Sequence, residues 1–107
     1  MSDQAKHDVF QAISDPNRRT LLKILDNKEM FIAEITDYSP ISRTAVNKHL
    51  HILSNAGVVT SRKVGREIRY TLKPEPLVEI KVWLMFFEQY WDVKLSALKK
   101  YVEEDNE

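Results

Sequence analysis

Five side chains between Arg43 and His51 carry groups suited to nucleic acid. Arg43, Thr44, Asn47, Lys48 and His51 supply two cations, a hydroxyl, an amide and an imidazole. Such groups hydrogen-bond base edges in a major groove or hold phosphates. Their spacing gathers them on one side of a helix. The other side carries Val46, His49, Leu50 and Leu53 at i, i+3, i+4 and i+7, a single stripe for packing. A polar helix face often simply meets water, so this segment alone fits a solvated face as well as a reading one.

The elements around it favour reading. Ser42 suits the N-cap and Gly57 the stop, giving a recognition helix over about 42–56. Beyond Gly57 the period changes to that of strands, Val58–Val64 and Glu67–Leu72, a wing over about 58–72. Ile68, Tyr70 and Leu72 alternate there with Glu67, Arg69 and Thr71. Gly65-Arg66 fits a two-residue hairpin turn with glycine first. The hairpin sets Arg62, Lys63 and Arg66 around an exposed tip, where they and Ser42 would hold phosphates. Upstream, Met30–Asp37 is expected as a short helix on Ile32, Ala33 and Ile35, joined by Tyr38–Ile41 to the next. Two helices so joined make a helix-turn-helix, whose second helix enters the major groove. Asp15 caps another helix with Pro16 at its first position and Leu21, Leu22 and Leu25 on its buried stripe. Arg18 and Arg19 are expected to pair with Asp15 or Glu34 rather than phosphate. Lys6–Ser14 is expected as the first helix.

Lys73-Pro74-Glu75-Pro76 ends the hairpin. One long helix is then expected over about 76–103, before an acidic tail, Glu103 to Glu107. Its seam, Ile80, Leu84, Phe87, Trp91, Leu95, Leu98 and Val102, steps close to heptad spacing. Val82, Trp83, Phe86, Tyr90 and Val93 widen the apolar surface beyond what one small domain covers. This points to a homodimer through Trp83, Phe87, Trp91, Leu95 and Leu98, with Val9, Phe10 and Ile13 from the first helix.

The 107 residues fit a single domain, mainly α with a small β-hairpin. Formal net charge is zero, but Ser42–Arg69 holds six cations against Glu67 alone. This basic middle between acidic ends is a localised electrostatic footprint. With no cysteine, thiolate metal sites, disulfides and cysteine nucleophiles are all absent. His49 and His51 lie two apart and point to different faces, so no metal site and no cofactor are expected. Only two glycines occur, and no phosphate-cradling loop or triad pattern suggests an enzyme. The apolar run Val82–Phe87 is too short to span a bilayer, and the N-terminal stretch lacks a signal-peptide core. A cytoplasmic protein without membrane insertion is expected.

Three blocks carry a family resemblance: Ala12–Leu22 (AISDPNRRTLL), Ser42–Val59 (SRTAVNKHLHILSNAGVV) and Gly65–Leu72 (GREIRYTL). Together they resemble the ArsR-type winged-helix repressors. The resemblance implies a cytoplasmic homodimer, with first and last helices at the interface and two recognition helices on double-stranded DNA. It also implies promoter repression, commonly of the protein's own gene, relieved by an inducer. Many relatives sense metals through cysteines or through ligands on the last helix. Glu88–Val102 instead resembles the metal-independent branch, whose inducer would be a small molecule or a protein. The competing reading is a protein-interaction module that docks a partner through the aromatic last helix.

Overall fold

The computed structural model describes residues 8–105, except the side chains of residues 92–96 and 105. The chain runs α1 (Val9–Ala12), α2 (Pro16–Ile24), β1 (Glu29–Phe31), α3 (Ile32–Asp37), α4 (Arg43–Asn55), β2 (Val59–Val64), β3 (Glu67–Leu72), a 3-10 turn (Glu75–Leu77), α5 (Val78–Met85) and α6 (Glu88–Asp105). It is mainly helical, with a small antiparallel sheet.

Local chemistry sets the helix ends. Asp8 accepts the amide of Gln11 at the start of α1. Residues 1–7, and with them the expected start at Lys6, lie outside the described residues. Asp15 accepts the amides of Asn17 and Arg18 at the start of α2. Burial alone would raise the Asp15 carboxyl, but these two amide bonds, with His49 and Arg18 nearby, hold its pKa below the usual aspartate value. Ser42 Oγ accepts the amide of Ala45 at the start of α4. The stop of α4 is a Schellman motif: Gly57 N–H donates to Ser54 O at 3.0 Å and Val58 N–H to Leu53 O at 3.2 Å. Gly57 takes φ +80°, the left-handed region this motif requires.

The core forms where α4 crosses α2 and α3. Val46, Leu50 and Leu53 of α4 are buried with Leu21, Leu22 and Leu25, Ile35, Met30, Val58 and Val59. Burying each such side chain contributes roughly 1.5–3 kcal/mol.

Three expectations need correction. Met30 does not begin a helix: Glu29–Phe31 pairs with β3 in the register Glu29↔Thr71, Met30↔Tyr70 and Phe31↔Arg69. The sheet therefore has three strands in the order β1-β3-β2, not the two of a hairpin. Backbone groups next to an open strand edge gain ladder bonds by pairing, and Met30 thereby enters the core.

Secondly, the long last helix is interrupted. At Phe86 and Phe87 the amides bond three residues back, to Trp83 O and Leu84 O. This tightens the turn and divides α5 from α6. Trp83 and Phe86 both meet Phe87 edge-on, with ring centroids at 5.1 Å. Thirdly, α6 stays helical through Glu103 and Glu104 to Asp105, where a separate tail was expected.

The Cα radius of gyration is 17.7 Å, against about 13 Å for a compact chain of this length. The excess reflects α6, eighteen residues or roughly 27 Å of helix, carrying exposed Leu98, Tyr101 and Val102.

An alanine at position 57 meets no close atom, only Pro76 Cγ at 3.7 Å, so its cost is conformational. Gly57→Ala should lower stability by about 1–2 kcal/mol in urea unfolding, with the denaturant slope unchanged.

Candidate nucleic-acid interface

The face built by α4 and the wing is polar and open. Arg43, Thr44, Asn47, Lys48 and His51 are all exposed, as is Ser42 at the cap. Their exposure follows from the buried stripe opposite, where Val46, Leu50 and Leu53 are at most 1% accessible. Two clefts flank the helix. One, of about 470 Å³, lies between Arg43, Thr44 and Asn47 and the wing residues Arg66, Ile68 and Tyr70, with Phe31, Ile32, Ala33 and Glu67 completing its wall. The other, of about 400 Å³, lies between Asn47, Lys48, His51 and Ser54 and the strand residues Ser61 and Tyr70. Asn47 and Tyr70 border both. Ser54, Ser61, Ile68 and Tyr70 are thus part of the face but were missed in the sequence. Alternation placed Ile68 and Tyr70 on one face of a strand without assigning them to this site; Tyr70 is half-buried and Ile68 is 47% exposed.

The hairpin turns at Gly65, with φ +63°, and leaves Lys63 and Arg66 exposed at its end. Arg62 behaves differently. Its Nε donates to Glu29 Oε2 at 2.6 Å and its Nη2 to Oε1 at 2.8 Å, a two-pronged ion pair. The Arg62 bond chiefly, with the neighbouring Arg69 charge, holds the Glu29 carboxyl below the ordinary glutamate range despite partial desolvation. Arg69 lies over the Phe31 ring at 4.2 Å and 3.8 Å from Glu29.

Arg18 and Arg19 do not pair with the expected acids. Arg18 Nε donates to Ala12 O at 2.7 Å and Nη2 to Gln11 O at 3.2 Å, while Arg19 Nη1 donates to Ile13 O at 2.7 Å. They bond carbonyls at the end of α1, of which Gln11 O also accepts from Ser14. Glu34 instead accepts the Phe31 amide at the start of α3. Arg18 Nη1 also lies 3.3 Å from His49 Nδ1. His49 is thereby engaged in packing α2 on α4.

The residues expected at a dimer interface divide. Val9 is 3% exposed and belongs to the core, with no surface left to offer. Phe10, Ile13 and Phe87 are half-buried, and Phe10 meets Trp83 edge-on at 5.6 Å. Trp83, Trp91 and Leu98 stay exposed, at 52%, 37% and 56%. The side chain of Leu95 lies outside the described residues.

A helix-turn-helix with a polar second helix, followed at once by a basic hairpin, is a winged helix-turn-helix. Residues 15–61 match the family described as Bacterial regulatory protein, arsR family. Over 81 residues the chain is 35% identical to the Transcriptional repressor SdpR of Bacillus subtilis (strain 168), covering 76% of this chain and 90% of that protein. The chain belongs to the ArsR family.

Solved structures agree. The ArsR-like Transcriptional Regulator from Rhodococcus sp. RHA1 superposes with a TM-score of 0.70 at 36% identity, over 90% of this chain and 88% of that one. A structure described as a possible transcriptional regulator for arsenical resistance gives 0.68 at 32% identity, over 88% and 95%. As an ArsR-family member the chain is a DNA-binding transcriptional regulator and not an enzyme.

The sequence has no cysteine, and no three His, Cys, Asp or Glu residues gather among the described residues. No helix among them is long and apolar enough to cross a membrane.

The Glu29–Arg62 pair has a pH signature. Because folding lowers the Glu29 pKa, the pair's stabilisation is complete above the ordinary glutamate value and is lost as pH falls through the folded one. Arg62→Gln should therefore melt below the parent protein at neutral pH, and the gap should close in scanning calorimetry at pH below the carboxylate range.

Proposed function

We propose that this ArsR-family protein is a cytoplasmic homodimeric repressor that reads a near-palindromic operator without a metal. The observation that carries the reading is the exposed polar face of α4, set between two clefts and flanked by the cationic end of the wing. Two copies of this face, about 34 Å apart, would enter successive major grooves. Asn47 has the donor and acceptor to pair adenine, and Thr44 a methyl to meet that of thymine. Arg43 and Lys48 would take guanine edges or phosphates. His51 would join them in reading the operator, and Ser42, Lys63 and Arg66 would hold the backbone.

The exposed Trp83, Trp91 and Leu98 on α5 and α6 support the homodimer, as does the extension of α6 from the body. An apolar surface of this extent needs a cover, and a second copy offers a matching one. The complete lack of cysteine and the commitment of His49 support metal independence. The inducer would then be a small organic molecule or a protein, and the protein's own promoter is the first operator to try.

The test is fluorescence anisotropy of chelator-treated protein on DNA from upstream of its own gene, across a salt series. Log affinity should fall with log salt at a slope of roughly −5 to −9, for six to ten phosphates neutralised per dimer. Added zinc should leave it unchanged. Arg66→Ala should weaken binding to every sequence alike, and Asn47→Ala should relax preference at one base pair by roughly 1–3 kcal/mol. Equal, sequence-blind losses in both variants would refute this division of roles. Leu98→Glu should halve the mass seen by light scattering and weaken operator binding by about a hundredfold or more, since the second half-site then loses its effective concentration.

A further inference from the structure

The wing has two faces, and its cations are not equivalent. Side chains alternate along a strand. On β2, Val59, Ser61 and Lys63 share one face, and on β3 their partners Leu72, Tyr70 and Ile68 do the same. Val59 is in the core, and Ser61 and Tyr70 border the cleft beside α4. Lys63 therefore stands on the side of the recognition helix. Arg62 stands on the opposite side, in direct register with Arg69.

Two arginines facing each other across a strand pair repel. The acid that relieves them comes from neither strand. Glu29 on β1 reaches past β3, grips Arg62 with both carboxylate oxygens and lies 3.8 Å from Arg69. Arg69 Nε is buried with no hydrogen-bond partner, so that guanidinium relies on the Phe31 face and on Glu29 for its compensation. Lys63 and Arg66 have no acid within ion-pair distance among the described residues.

From this geometry we infer that Glu29 is a positioning residue for DNA binding. It holds Arg62 on the outer face of the wing, away from phosphate, and leaves contact with the DNA backbone to Lys63 and Arg66. Glu29 thereby limits how strongly the wing attracts DNA of any sequence, and braces β2 through β3 against β1. The inference rests on the DNA-binding reading above and assigns Arg62 a role opposite to the one its charge suggests.

The experiment is a salt titration of anisotropy on a labelled random-sequence duplex, with folding of each variant checked by circular dichroism. Glu29→Gln should tighten binding at low salt and steepen the slope by about one unit per protomer, because a neutralised phosphate contributes about 0.9. Arg62→Gln should leave the slope of the parent protein unchanged, and Glu29→Gln with Arg62→Gln should restore it. Arg66→Ala should flatten it. The exchanged pair, Glu29→Arg with Arg62→Glu, keeps the cluster's charge and should behave as the parent, which keeps the test open if Glu29→Gln folds poorly. Flattening by Arg62→Gln would place that arginine on phosphate and overturn the inference. Weaker, unsteepened binding by Glu29→Gln would reduce the pair to a brace and overturn it as well. Salt-insensitive binding of the parent and of Arg66→Ala alike would instead overturn the DNA-binding reading, and this role with it.

Discussion

The burial of one stripe of α4 is the constraint on which the rest depends. Val46, Leu50 and Leu53 are the contact at which α2, α3 and β2 meet. A thirteen-residue helix with a single buried stripe must leave the remainder of its circumference to solvent. That is what brings Arg43, Thr44, Asn47, Lys48 and His51 outward together. The Schellman stop at Gly57 then matters beyond α4 itself. It reverses the chain so that Val58 and Val59 return to the same core, and the wing starts beside the face it flanks.

Charge in this protein is sorted by position. The formal net charge is zero, yet cations serve three different ends. Arg18 and Arg19 close the carbonyl end of α1, and Arg18 reaches His49 on the recognition helix as well. The Asp-Pro-Asn-Arg-Arg run is therefore a two-way joint: its aspartate starts one helix and its arginines finish the previous one. Arg62 and Arg69 are compensated on the outer face of the sheet by Glu29. Arg43, Lys48, Lys63 and Arg66 remain for the polar face. A count of charges along the chain overstates the basic footprint, because it cannot include an acid that arrives from another strand.

The C-terminal third follows a different logic. α5 is apolar around much of its circumference: Ile80 packs against the core while Val78, Val82 and Met85 remain exposed. The aromatic cluster of Phe10, Trp83, Phe86 and Phe87 ties it to α1 at the point where the helix breaks. α6 then extends beyond the body. A helix of this kind is stabilised by what it packs against more than by its own propensity.

The order helix-turn-helix-wing, the caps at Asp15 and Ser42, the stop at Gly57 and the turn at Gly65 were all legible in the sequence. Each depends on residues within a few positions of one another: a side chain reaching a nearby amide, a glycine tolerating positive φ, a stripe repeating every turn. The polar face of α4 was legible for the same reason, as the complement of its apolar stripe. Only the tertiary structure decided what crosses the chain. A three-residue strand at Glu29–Phe31 has too few positions to show a period, and its pairing with β3 is fixed by an open sheet edge some forty residues later. The grip of Glu29 on Arg62 spans 33 residues and that of Arg18 on His49 spans 31. Contacts of this kind depend on the distance between side chains in space, which no local pattern encodes, and they separate the arginines that brace the fold from those left on its surface.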